Sequence, residues 1–144
     1  MGKKISFKTA ATFDDLIKVF IVRGIVFIEE QHVAYEEETD AYEIGAVHIL
    51  GEIAGEPATA GRIRFLEGYA KLERIAVRRS FRGNGYAHEL VAFMLYIARS
   101  KGFQKFKMHA QTYLRQFYEQ CGFTVKGDVF QEAGIDHYLM VLEE

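Results

Sequence analysis

Ile5 and Phe7 alternate with Lys4, Ser6 and Lys8, which predicts a half-buried first strand over 4–9. Thr12 then offers a helix N-cap, with Asp14 and Asp15 placed to interact with the positive end of the helix dipole. Phe13, Leu16, Ile17, Phe20, Gly24, Phe27 and Ile28 fall on one helical face, and Gly24 weakens or interrupts the helix. The acidic stretch 31–42 has no clean period and reads as a loop. From Ala46 the period becomes two, predicting strands over 46–53, 58–66 and 69–77. Short turns at Gly55-Glu56-Pro57 and Glu67-Gly68 imply that these strands are antiparallel neighbours. Ala87, Leu90, Val91, Met94, Leu95 and Ala98 form the clearest helical stripe, which Gly102 ends. A strand over 103–110, a short helix over 113–120 closed by Gly122, and a final strand pair, 123–125 with 137–142, complete the chain. The order predicts one α/β domain over 1–144 with a mixed sheet.

Composition narrows the class. A chain of 144 residues, 49% hydrophobic and 26% charged, with twelve Phe and eight Tyr, has ample material for one packed core. A net charge of -2 gives no basic excess for nucleic acid. The single cysteine, Cys121, cannot form an internal disulfide or a cysteine zinc site and reads as packing. The five histidines, at 32, 48, 88, 109 and 137, are scattered, so no metal is expected. No apolar run has the roughly 20 residues of a membrane span and no signal sequence is evident, so the expected location is the cytoplasm.

Candidate chemistry centres on Arg82-Gly83-Asn84-Gly85-Tyr86-Ala87, between a strand and the clearest helix. Two bare glycines let successive N–H groups face one anion, and the first helical turn adds free donors and its dipole. Arg82, with Arg78 or Arg79 at the rim, supplies charge. Alone, the spacing fits an ordinary tight turn equally well. It is neither a P-loop nor a dinucleotide fingerprint, since Gly-Lys-Ser/Thr and a third glycine are both missing.

The string Leu72 to Ala87 resembles the acyl-CoA-binding core of the GNAT superfamily of N-acetyltransferases. Arg82, Gly85 and Ala87 match its signature of Arg or Gln, two residues, Gly, one residue, Gly or Ala. Phe117-Tyr118-Glu119-Gln120-Cys121-Gly122-Phe123 resembles the second core motif. Val26 to Gln31, Asp40, His48, His109-Ala110-Gln111 and Ala133 to His137 resemble the ElaA-like branch and extend the likeness over almost the whole chain.

This resemblance implies a mixed, mostly antiparallel sheet flanked by helices and split between its fourth and fifth strands. Acetyl-CoA or another short acyl-CoA is expected in the split as co-substrate. Its pantetheine arm would pair with the strand edge at Ile75, Ala76 and Val77, and its diphosphate would sit on 82–87. Gln111 stands where many relatives carry an asparagine that touches the cofactor, and Arg115 is expected either to reach a CoA phosphate or to be an ordinary exposed helix arginine. The amine attacks the thioester directly, with Tyr118 as general acid, or else Tyr118 is a packed aromatic. Glu73 is the candidate base, although it could instead pair with Lys71, because alternation sets Lys71, Glu73, Ile75 and Val77 on one face. Glu29, Glu30, His32, His48 and His137 are candidates for the acceptor site. The acidic run Glu36 to Asp40 either attracts a cationic amine or is a solvated face. Related domains often dimerise, so a homodimer is within the resemblance. The acceptor stays open between a polyamine-like molecule, an amino sugar, a peptide N-terminus and a lysine side chain. The competing readings are an acyl-CoA sensor without catalysis and a phosphate-binding domain of another class.

Overall fold

Thr12 opens the first helix through a reciprocal capping box: its hydroxyl accepts from the Asp15 N–H while the Asp15 carboxylate accepts from the Thr12 N–H. The computed structural model, which describes residues 3–144, has strand β1 (Ser6–Thr9), helix α1 (Phe13–Arg23) and the short helix α2 (Tyr35–Glu38). Strands β2 (Val47–Ile53), β3 (Glu56–Leu66) and β4 (Tyr69–Val77) follow, then α3 (Tyr86–Ser100) and β5 (Lys105–Gln111). Helix α4 (Arg115–Gln120) and strands β6 (Thr124–Val125), β7 (Phe130–Glu132) and β8 (Ile135–Glu143) end the chain.

The strands form one mixed sheet in the order β1-β2-β3-β4-β5-β8-β6, with β7 also paired to β8. Every pairing is antiparallel except β4 with β5, which are parallel and matched only at Ala70–Phe106 and Lys71–Lys107. Beyond those two positions the strands part, giving the split that the resemblance implies. One face of the sheet packs on α3 through Leu90, Val91, Met94 and Leu95, with Phe106, Met108 and Ala110 of β5 beneath them. The other face packs on α1 through Val19 and Val22, and on the segment after it through Val26, against Leu50, Ala60 and Ala76.

Several expectations need correction. The buried face of α1 carries Asp15, Val19, Val22 and Arg23, while Phe13 (80% exposed), Ile17 and Ile21 face outward. Burial of Asp15 and Arg23 is possible because each has ionic partners, which a hydrophobic pattern cannot reveal. The interruption at Gly24 is a change of helix type: α1 ends at Arg23, and Gly24–Glu30 widen into π-helical turns, with the Gln31 N–H donating to the Val26 carbonyl. The stretch 31–42 is not all loop, since Tyr35–Glu38 form one helical turn with three acidic residues near its start. Finally, β7 is a further strand, joined to β8 across Ala133-Gly134, both at positive φ (53° and 74°), as a two-residue hairpin requires.

A bulge in β4 alters what this strand shows to the cleft. Arg62 pairs with Glu73 and Ala60 with Ala76, so two residues of β4, Arg74 and Ile75, stand opposite one of β3. Arg74 takes φ +53° at the bulge. Side-chain phase therefore shifts by one residue. Glu73 shares the α1 face with Ala76, and Ile75 packs with the α3 core, so the expected single face for Glu73, Ile75 and Val77 does not exist.

Candidate active site

The split opens into a cleft of about 580 Å³ floored by Leu72 to Val77 of β4 and Met108 to Gln111 of β5. From Leu72 onward β4 has no partner on its β5 side, so its backbone groups face the cleft as an exposed strand edge. Ile75, Ala76 and Val77 lie on that edge, as expected for residues that would pair with an amide-bearing chain.

At one end of this edge the chain turns through Arg79–Phe81 and Arg82 to Gly85 into α3. Gly83 and Gly85 have φ of +84° and +81°, a region costly for residues with a Cβ. Gly85 is the N-cap and no side chain caps the helix. The first amide bonded within it is that of Glu89, to the Gly85 carbonyl, which leaves the preceding amides of the turn free as donors. Asn84 braces the loop by donating to the Phe81 and Arg82 carbonyls, both at 3.3 Å. Tyr86 turns its ring to the opposite side, into the small core of Ile5, Ile53 and Ala58, so of Tyr86 only the backbone remains for a ligand. Arg82 and Ala87 line the cleft. Arg82 donates to the Val77 carbonyl at 2.9 Å and grips Glu30 with two bonds of 2.7 and 2.8 Å. That pair holds the Glu30 carboxyl below its usual range.

Tyr118 is 5% exposed, lines the cleft from α4, and packs edge-on against Phe117 and Phe123. Burial pushes its phenol well above the ordinary value, and Cys121 and Tyr113 add to the effect. The group is therefore a neutral hydrogen-bond donor at physiological pH. Full proton transfer from it to a thiolate is less favourable than an ordinary phenol suggests. Cys121 packs beside it, half-buried, as expected.

The α1 face of the cleft is densely charged. Arg62, fully buried, grips both oxygens of Asp40 at 2.8 and 2.9 Å and reaches Glu43 at 2.9 Å and Glu73 at 2.8 Å. Arg64 and Lys71 add contacts to Glu73 at 2.8 and 3.0 Å. Burial raises the Glu73 carboxyl, but Arg64, Arg62 and Lys71 outweigh it and bring it down to about 2. A carboxylate held so acidic is a poor proton acceptor, so Glu73 does not suit the role of base. The acidic run divides: Glu38 binds Arg23 and Arg74 and Asp40 binds Arg62 and Arg74, while Glu36 and Glu37 are exposed.

Other expected residues divide. Glu30, Gln111 and His137 line the cleft, whereas Glu29 and His32 lie outside its lining. His48 lies behind it, buried, bonded to the Glu43 carbonyl at 2.7 Å and packed on Phe20. Burial pushes its imidazole down, so its place is structural. Arg115 points along α4 to Glu119 and covers the Tyr138 ring, away from the cleft. The Gln111 amide bridges the mouth to Gln31 at 2.9 Å. Two further cleft residues, His109 of the His109-Ala110-Gln111 motif and Glu132, had no expected role at the site, and they bond to each other at 2.8 Å. Among the described residues no cluster has the makings of a metal site.

Residues 24–144 match the acetyltransferase (GNAT) domain family. The chain belongs to that family. It is 34% identical to the uncharacterized protein YyaT of Bacillus subtilis, covering 96% of each chain. It is 37% identical to the uncharacterized N-acetyltransferase YjcF of the same organism, over 89% of this chain and 92% of that one. The GNAT fold matches the crystal structure of Escherichia coli ElaA with a TM-score of 0.86 at 23% identity, covering 97% of this chain and all of that one. A Bacillus subtilis acetyltransferase solved in complex with CoA has the same fold, with a TM-score of 0.75 at 16% identity and coverage of 98% and 99%. No described helix of this GNAT protein is long and apolar enough to cross a membrane.

Proposed function

We propose that the protein transfers an acetyl or other short acyl group from acyl-CoA to a primary amine by direct attack. The observation that carries this reading is the single cleft that brings together a free β4 edge, the uncapped start of α3 and the Tyr118 phenol. The free edge suits the pantetheine amides, which would add to the sheet as a short strand. Amides of the 82–87 turn, with Arg82, suit the diphosphate. Tyr118 then stands beside the thioester sulfur.

In this reading the amine loses one proton, and its lone pair forms a bond to the thioester carbon. The carbonyl oxygen gains negative charge, which a main-chain N–H of the bulged segment near Ile75 or Ala76 stabilises. The carbon–sulfur bond breaks, the sulfur takes the Tyr118 proton, and the second proton of the nitrogen restores the phenol. Burial keeps Tyr118 protonated until the sulfur leaves. An acyl-CoA sensor would share the cofactor contacts but has no use for a neutral phenol at the sulfur.

The test is a screen of amines with acetyl-CoA, following CoA thiol release. Turnover with at least one amine class supports the reading; acetyl-CoA binding without turnover on any class favours the sensor.

A further inference from the structure

We infer that His109 is the base that takes the acceptor's proton, and that Glu132 positions it. This rests on the acyl-transfer reading and adds to it the group that Glu73 cannot supply. Two residues beyond the last paired positions, Lys71 and Lys107, come Glu73 on β4 and His109 on β5. Both side chains leave the α1 face, on opposite walls of the split, and both line the cleft. On the β4 wall the carboxylate is held by three cations. Across from it the imidazole is held by one carboxylate.

The contact fixes the ring's chemistry. His109 Nδ1 lies 2.8 Å from Glu132 Oε1, and this bond is the chief cause of the lowered Glu132 carboxyl. An ionised carboxylate only accepts, so Nδ1 carries a hydrogen, and in the neutral ring the lone pair then belongs to Nε2. Nε2 has no hydrogen-bond partner among the described residues, and the side chain is 29% exposed. Phe130 braces the ring edge-on at 4.9 Å and stacks on His137 at 5.9 Å. His137 is less open to an acceptor, with 8% of its side chain exposed against 29% for His109. The base and its orienting acid thus follow the logic of an imidazole held by a carboxylate partner. The hairpin of β7 and β8 is the element that brings Glu132 to His109.

The charged and titratable groups around His109 are Glu132 from β7, His137 from β8 with Nε2 4.0 Å from Glu132, Lys71 and Glu73 from β4, and Lys107 on its own strand. In the proposed step Nε2 takes one proton from the ammonium form of the acceptor and later passes it to solvent. Each turnover releases one proton, one CoA thiol and one amide.

Three measurements decide the assignment. His109→Gln should lower kcat at neutral pH by roughly 100-fold or more, with the acetyl-CoA Kd nearly unchanged. Its rate should then climb about tenfold per pH unit toward the amine's own pKa, because only amine already deprotonated by solvent reacts. Glu132→Gln should keep the fold and the acetyl-CoA Kd but lower kcat, since the ring loses the acceptor that fixes its orientation and tautomer. Nitrogen NMR of the wild type should show the Nδ1–H tautomer at His109, a result that needs no acceptor. A His109→Gln variant with wild-type kcat, or an Nε2–H tautomer, overturns this inference alone. A wild type that neither binds acetyl-CoA nor releases CoA overturns the acyl-transfer reading and this inference with it.

Discussion

Glu30 and Arg82 are locked in a two-pronged ion pair, with Nη1–Oε2 and Nη2–Oε1 distances of 2.7 and 2.8 Å, joining the π-helical turn after α1 to the glycine loop before α3. The guanidinium expected to meet the cofactor's diphosphate is thus already shared with a carboxylate of the acceptor side. Glu30→Gln should free it and tighten acetyl-CoA binding about fivefold, on the order of 1 kcal/mol. Arg82→Gln should weaken binding and flatten its dependence on salt. Calorimetric titration at two ionic strengths checks both.

Tyr118→Phe removes one hydroxyl from a packed ring and leaves Phe117 and Phe123 in contact. The expected result is a fall in kcat of roughly 100-fold with little change in acetyl-CoA affinity. Single-turnover kinetics and titration separate the two effects. Unchanged kcat would remove the phenol from the chemistry.

Arg62 holds Asp40, Glu43 and Glu73 together while fully buried. Arg62→Met leaves those carboxylates without their shared cation, at a cost of about 3–5 kcal/mol in unfolding free energy. Urea denaturation measures it. A loss below about 1 kcal/mol would show that the cluster is solvated rather than buried.

The same cluster sets the acid response. Glu73 titrates near 2 in the folded chain against an ordinary 4.5, and Asp40 is also depressed. Between those values the unfolded chain binds more protons than the folded one. Their contribution to stability is therefore complete above about pH 5 and is lost as the pH falls toward 2. Glu73→Gln should be less stable than wild type at neutral pH, and the gap between them should narrow steadily below about pH 4.5 in urea midpoints.

Local signals made the frame readable. Alternation marked β2 to β4, the i, i+3, i+4 stripe marked α3, and Gly83 and Gly85 marked a loop that needs positive φ. Tyr118 was found through its motif. The rest depended on contacts that a linear pattern does not carry. A bulge at Arg74, where no glycine announces it, turned Glu73 away from Ile75. The fate of Glu73 was set by Arg62 and Arg64 on the neighbouring strand. Glu132 reaches His109 from 23 residues away, through a three-residue strand too short to show a period. On α1 part of the apolar stripe, Phe13 and Ile17, points outward, while Asp15 and Arg23 find ionic partners inside.

The most direct measurement is a crystal structure of the protein with CoA. The account predicts the diphosphate against the amides of residues 82–87, the pantetheine arm bonded along β4 between Leu72 and Val77, and the sulfur within hydrogen-bonding reach of the Tyr118 hydroxyl. CoA bound elsewhere, with Arg82 still closed on Glu30 and the β4 edge empty, would contradict it.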